Sequence, residues 1–62
     1  KALSRRQREV LAEMALGHLN KQIAFRLGLS EQTVKMHRAL LMDRLGAAST
    51  ADAIRIAVEA GL

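Results

Sequence analysis

Four glycines divide this chain into segments of helical period, and that spacing constrains the fold more than any other feature. They are Gly17, Gly28, Gly46 and Gly61, in a chain of 62 residues without proline. Each follows an apolar segment, where a helix commonly ends on a left-handed residue. Candidate N-caps precede the segments: Ser4, Asn20, Ser30 and Ser49. Ser4 with Gln7, and Ser49 with Asp52, are also spaced as capping boxes. The pattern predicts an all-α, compact four-helix domain with helices over 5–16, 21–27, 31–45 and 50–60.

Apolar side chains repeat at helical spacing within each segment, which indicates one shared core. In the third segment the core stripe is predicted to be Val34, Leu41 and Leu45, with His37 and Arg38 beside it. In the fourth it is predicted to be Ile54, Ala57, Val58 and Gly61. A second stripe on the fourth helix would suit a two-fold dimer interface, and its members are Ala53, Ile56 and Ala60.

Composition excludes several classes of protein and favours a polyanion as partner. The chain has no cysteine, so no disulfide or thiolate zinc site holds it together. No apolar run reaches the ~18 residues of a membrane span. The formal net charge is +4, and four basic residues against one acid lie between Asn20 and Arg38. Such clustering favours nucleic acid over membrane or small-molecule ligands.

The second and third segments have the layout of a helix-turn-helix motif over residues 20–39. A short helix and a longer helix are joined by the turn Gly28-Leu29-Ser30. Helices that cross steeply at close range require a small residue, which Ala24 supplies, and a bend, which Gly28 supplies. An ordinary αα-hairpin has similar spacing, but the clustered basic charge favours the DNA-binding motif.

The outer face of the third helix is predicted to contact bases in the major groove. When Val34 is set at zero and each residue advances about 100°, four side chains lie opposite the core. These candidate base contacts are Gln32, Lys35, Met36 and Ala39. Lysine donates to guanine, glutamine pairs with adenine, and apolar side chains contact thymine methyls.

Contacts to the DNA backbone are predicted at Asn20, Lys21, Ser30, Thr33 and Arg38. Free N–H groups at the start of the third helix can bind phosphate, helped by the helix dipole. No catalytic set, phosphate loop, metal site or cofactor site is evident, so no enzyme activity is expected. We expect His37 to be structural at the margin of the core, and His18 to be solvated.

Three stretches resemble the LuxR-type (FixJ/NarL) helix-turn-helix of bacterial transcription regulators. They read "LSRRQREVLAEMALG", "NKQIAFRLGLSEQTVKMHRALLMDRLGAAST" and "ADAIRIA". The resemblance covers essentially the whole chain and implies that residues 1–62 bind double-stranded DNA as a homodimer through the fourth helix. It implies a cytoplasmic, nucleoid-associated regulator, with RNA polymerase as a further candidate partner. In the family, the positions of Lys35, Met36 and Ala39 face bases, and those of Lys21, Ser30 and Thr33 face the backbone.

Two alternatives remain open, namely the promoter-reading helical domain of a sigma factor and a helical protein-interaction module. The chain begins with Lys1, and we expect it to be the C-terminal domain of a longer regulator. Three residues depart from the pattern or have no assigned role, and one of them is Ala39, which is small where the family often has a longer side chain. Leu40 stands where the family often has a polar residue, and Phe25 is predicted to lie on the outer side of its helix.

Overall fold

Four α-helices follow one another in the computed structural model, which describes residues 3–61. Helix α1 runs over Arg5–Ala15, α2 over Asn20–Leu27, α3 over Glu31–Leu45 and α4 over Thr50–Ala60. Within this range there is no strand, and no helix is long and apolar enough to cross a membrane. The all-α prediction is confirmed, and each predicted helix boundary is correct to within one residue.

Serine side chains begin three of the helices, as predicted. Ser4 and Gln7 form a full capping box, because the hydroxyl accepts from the Gln7 N–H at 3.1 Å and the Gln7 carbonyl oxygen accepts from the Ser4 N–H at 2.9 Å. Ser30 caps α3 and Ser49 caps α4. In the capping box predicted at Ser49, the Asp52 carboxylate would accept from the Ser49 N–H. It accepts instead from the Ala48 N–H at 2.9 Å, one residue earlier.

Helix α2 starts differently from the prediction, because Asn20 is its first residue and not its N-cap. The N-cap position belongs to Leu19, whose side chain cannot accept a hydrogen bond. At this end the Leu19 N–H donates to Gln22 Oε1 at 2.7 Å. The Asn20 carboxamide is therefore available for a contact elsewhere in the fold.

The core lies where α3 packs against α1 and α2. Val34 and Leu41 of α3 are fully buried, as predicted, while Leu45, His37 and Arg38 are half-buried at its margin. The buried apolar residues of the whole domain are Leu3, Val10, Leu11, Met14, Ile23, Ala24, Val34, Leu41, Ala53 and Ala57.

Helix α4 is turned about its axis relative to the prediction. Ala53 and Ala57 face the core, with exposures of 0% and 5%, whereas Val58 is 73% exposed. Small residues on the facing side let α4 lie close to α1, and the larger Ile54 and Ile56 flank the contact half-buried. Placing Val58 in the core was wrong. Including Ala53 in a dimer interface was also wrong, because the core of its own chain encloses that side chain.

A carboxylate shared by an arginine and a histidine connects α1 to α2 and to the loop between them. Glu13 is buried, and its Oε1 accepts from Arg26 Nε at 2.6 Å and lies 2.7 Å from His18 Nδ1. The expectation that His18 is simply solvated was therefore wrong. Hydrogen bonds from Arg26 and from His18 lower the pKa of the Glu13 carboxyl, and the same contact raises the pKa of Arg26.

We predict that Glu13→Gln lowers the melting temperature at neutral pH, because the amide keeps the shape of the carboxylate but removes its charge. Since the pKa of Glu13 is lower in the folded chain, its contribution to stability is present above the ordinary value of 4.5. That contribution is lost as the pH falls through the folded-state pKa. Thermal unfolding followed by circular dichroism between neutral and acid pH should show the two curves converging at low pH.

The matched control is Glu9→Gln on the same helix, where the carboxylate pairs only with Arg5 and Arg6 near the surface. Exposed pairs contribute little to stability, so this variant should melt close to the wild type. Equal melting temperatures for the two variants at neutral pH would contradict a special role for Glu13.

Candidate nucleic-acid interface

The turn between α2 and α3 sets the angle at which α3 leaves the body of the domain. Gly28 adopts φ +69°, in the left-handed region that most side chains avoid. The next N–H, that of Leu29, donates to the Ala24 carbonyl at 2.8 Å and closes the end of α2. Ile23, Ala24 and Val34 are buried at the crossing, as the helix-turn-helix interpretation of residues 20–39 requires.

The start of α3 presents backbone donors at the surface. The Ser30 hydroxyl accepts from the Thr33 N–H at 3.0 Å and donates to the Thr33 hydroxyl at 2.9 Å. The N–H groups of Glu31 and Gln32 belong to the first turn and have no intrahelical acceptor. These two donors carry the positive end of the helix dipole, although the exposed Glu31 carboxylate opposes it.

The predicted base contacts share the outer face of α3. Gln32, Lys35 and Ala39 are exposed, and Met36 is 50% exposed. Within residues 3–61, neither Gln32 nor Lys35 has a side-chain hydrogen bond or ion pair, so both side chains are free to bind a ligand. After Glu31, the next acid on the helix is the exposed Asp43, so the face between them carries no negative charge.

The predicted backbone contacts fall into two groups. Lys21 is exposed near the start of α2, and Ser30 and Thr33 lie at the start of α3. Asn20 and Arg38 instead contact each other, since Arg38 Nη1 donates to Asn20 Oδ1 at 2.9 Å.

The second Nη of Arg38 donates to the Thr50 hydroxyl on α4 at 3.0 Å. Thr50 was not among the site residues predicted from the sequence. The one available signal was the position of Arg38 on the core side of α3, where its long side chain has to extend along neighbouring helices.

Further exposed apolar side chains lie outside the group formed by Gln32, Lys35, Met36 and Ala39. Phe25 of α2 is 89% exposed, as its predicted position on the outer side implied, and Leu40 of α3 is 45% exposed. On α4, Ala60 is exposed and Ile56 is half-buried. Val58 lies over a shallow groove between α1 and α4, together with Ala12 and Ala15.

The histidines and acids do not gather into a metal site. Within the described range, no three His, Cys, Asp or Glu side chains are grouped so that they could hold a metal ion. His37 lies at the margin of the core, as expected, and its Nδ1 is buried without a hydrogen-bond partner.

Comparisons with known proteins agree on one family. Residues 1–57 match the family described as "Bacterial regulatory proteins, luxR family". The chain is 43% identical over 60 residues to the transcriptional regulatory protein FixJ of Azorhizobium caulinodans, covering 97% of this chain and 28% of that protein. It is 43% identical over 53 residues to the transcriptional regulatory protein UhpA of Escherichia coli strain K12, covering 86% of this chain and 27% of that protein.

A solved structure has the same fold. The response regulator ChrA of a heme-sensing two-component system superposes with a TM-score of 0.91 at 36% identity, covering 98% of this chain and 30% of that one. The chain thus spans less than a third of the length of these three relatives. These matches favour the transcription-regulator interpretation over the two alternatives. The chain therefore belongs to the luxR family of bacterial regulatory proteins, as a helix-turn-helix domain of the kind that binds DNA in transcription regulation.

Proposed function

We propose that this domain recognises a specific double-stranded DNA sequence by placing α3 in the major groove. The observation that carries the proposal is the outer face of α3, where Gln32 and Lys35 are exposed and make no side-chain hydrogen bond or ion pair within residues 3–61. A solvated helix face commonly carries acids and bases in pairs, as Asp52, Arg55 and Glu59 do on α4. The outer face of α3, which is formed by Gln32, Lys35, Met36 and Ala39 and is called the reading face below, carries no such pair.

Each reading residue has a chemistry that suits a base edge. The Lys35 ammonium donates to guanine O6 or N7, and the Gln32 carboxamide pairs with adenine. Met36 and Ala39 offer apolar contact to thymine methyl groups. The small Ala39 lets the helix lie deep in the groove. The exposed Asp43 carboxylate lies further along this face and would be repelled by the DNA phosphates. Base contacts are therefore limited to the first two to three turns of α3.

Contacts with phosphates would hold α3 in register. Lys21 and the Ser30–Thr33 turn lie at the starts of the two motif helices, where free N–H groups and the helix dipoles favour an anion. These contacts contribute affinity for any sequence, while the outer face of α3 discriminates between sequences.

We further propose that the domain is the C-terminal part of a cytoplasmic regulator that binds DNA as a homodimer through α4. The relatives are more than three times as long as this chain, which leaves room for a domain that receives a signal. The exposed Val58 of α4 and the half-buried Ile54 one turn before it offer an apolar surface for self-association, and Ile56 and Ala60 form a second apolar stripe on another side of the helix. RNA polymerase is a candidate partner of the DNA-bound dimer.

Selection of bound duplexes from a random DNA pool tests this function. The expected result is an enriched motif with two symmetric half-sites, because operator symmetry mirrors protein symmetry. Binding should also weaken steeply as salt rises, since phosphate contacts release counterions. A pool that stays random after repeated rounds would reject sequence-specific binding.

We predict that Lys35→Ala and Lys21→Ala weaken binding in different ways. Lys35→Ala should lose about 1–3 kcal/mol of discrimination at one base pair of the selected site. Lys21→Ala should weaken selected and unrelated duplexes alike and reduce the salt slope by about 1. Fluorescence anisotropy titrations at several salt concentrations separate the two effects.

The control for these lysines is Arg5→Ala on α1, whose side chain is 92% exposed and pairs with Glu9. It should bind both kinds of duplex like the wild type. If Lys35→Ala and Lys21→Ala behave identically on every duplex, the division into reading and backbone residues is wrong.

For dimerisation, we predict that Val58→Glu weakens binding to a two-half-site duplex and leaves binding to a single half-site unchanged. A charge at this exposed apolar position would repel its symmetry mate without disturbing the chain's own core. Gel-shift titrations on both duplexes measure the difference. Glu59→Gln, at the neighbouring exposed position, is the control and should bind like the wild type. Unchanged binding of Val58→Glu to both duplexes would exclude this edge of α4 from the dimer.

A further inference from the structure

Arg38 connects three of the four helices through its guanidinium group. Its Nη1 donates to Asn20 Oδ1 at 2.9 Å, and its Nη2 donates to Thr50 Oγ1 at 3.0 Å. Asn20 is the first residue of α2 and Thr50 is the first residue of α4, whereas Arg38 lies in the middle of α3. One rigid planar group therefore holds the starts of two helices against a third.

Arg38 is not held by charge pairing, unlike several other arginines. Arg6, Arg26 and Arg55 each contact a carboxylate within 3 Å. In the described part of the chain no carboxylate pairs with Arg38, and both of its acceptors are neutral. A charged donor still makes a stronger hydrogen bond than a neutral one, and the planar fork sets the direction of both bonds.

The contact with Arg38 holds the start of a helix that has no side-chain cap. Helices α1, α3 and α4 begin with a serine hydroxyl that accepts from the third residue of the helix. Helix α2 begins after Leu19 and has only eight residues, too few to be stable without tertiary contacts. The Asn20 carboxamide, which would be a good cap one residue earlier, is directed to Arg38 instead.

We propose that Arg38 is a positioning residue for DNA reading, an inference that rests on the function proposed above. By holding Asn20 and Thr50, it sets the position of the start of α2 relative to α3. It thereby sets the spacing between the phosphate contact at Lys21 and the base contact at Lys35. In this role Arg38 acts through Asn20 and Thr50, in place of the direct phosphate contact expected from the sequence.

A direct phosphate contact and a positioning role have different consequences. Lysine keeps the positive charge and can still reach a phosphate, but it lacks the fork that bonds two acceptors at fixed angles. Thr50→Val removes only the hydroxyl acceptor, at a residue with no predicted DNA contact. If Arg38 positions α2, both substitutions should lower the affinity for the selected DNA sequence. If Arg38 contacts a phosphate directly, both should leave that affinity unchanged.

The first test uses Arg38→Lys and Thr50→Val on the duplex selected by the wild type and on a scrambled duplex, at a temperature where all variants are folded. Each variant should lose roughly ten- to a hundredfold in affinity for the selected duplex, the size of one hydrogen bond to a charged group. Affinity for the scrambled duplex and the salt slope should stay unchanged. Arg5→Lys, the same exchange at an exposed site on α1, should bind like the wild type.

A second test needs no DNA and follows hydrogen exchange at the Ile23 amide, which donates to the Leu19 carbonyl in the first turn of α2. Both variants should exchange faster than the wild type at this amide, more than they do at Leu41 in the core. Unchanged exchange at Ile23 would overturn the proposal, whatever the DNA result.

Two DNA results would also overturn it. One is full retention of specific affinity by both variants, with Arg38→Met reducing the salt slope by about 1, which would make Arg38 a phosphate contact. The other is a lower melting temperature with an unchanged ratio of specific to non-specific affinity, which would make its role structural only. If the wild type selects no duplex, the proposed function fails, while the exchange measurement still decides whether Arg38 holds α2.

Discussion

The packing of α2 across α3 is the interaction on which the other features of the domain depend. Ile23 and Val34 are fully buried where the helices cross, and Ala24 lets the two backbones come close. Burying Val34 on one side of α3 turns Lys35 and Met36 to the other, because successive residues are rotated by about 100°. The apolar contact thus decides which side chains are presented to solvent, before any polar contact is considered.

Polar contacts then hold the short α2 from both ends. Near its C-terminal end, Arg26 donates to the buried Glu13 of α1. At its first residue, Asn20 accepts from Arg38 of α3. A helix of eight residues has little stability of its own, so most of its order comes from packing and from these contacts with α1 and α3. Neither contact involves Gln32 or Lys35.

Local signals in the sequence predicted most of the fold. Serine caps and glycine ends are read from neighbouring residues, and they placed the helices correctly to within one residue. The outward position of Lys35, Met36 and Phe25 followed from helical geometry.

The errors arose where a distant residue decides the outcome. Asn20 is a good N-cap by local rules, but Arg38, 18 residues away, takes its side chain. His18 contacts Glu13, whose burial cannot be deduced from composition. On α4, periodicity shows that one face is apolar, but small residues on several sides leave the rotation undetermined. Packing against α1 buries Ala53 and Ala57 and leaves Val58 exposed.

The turn at Gly28 has a consequence for how such a domain can change during evolution. A Cβ built at this residue would meet no atom within 4 Å, so only the positive φ of +69° restricts the choice of residue. That restriction amounts to roughly 1–2 kcal/mol for most L-residues, and asparagine and aspartate tolerate it best. Replacement of the glycine by asparagine therefore requires no compensating change in α2 or α3. The crossing angle can be inherited intact while the exposed side chains on the outer face of α3 change.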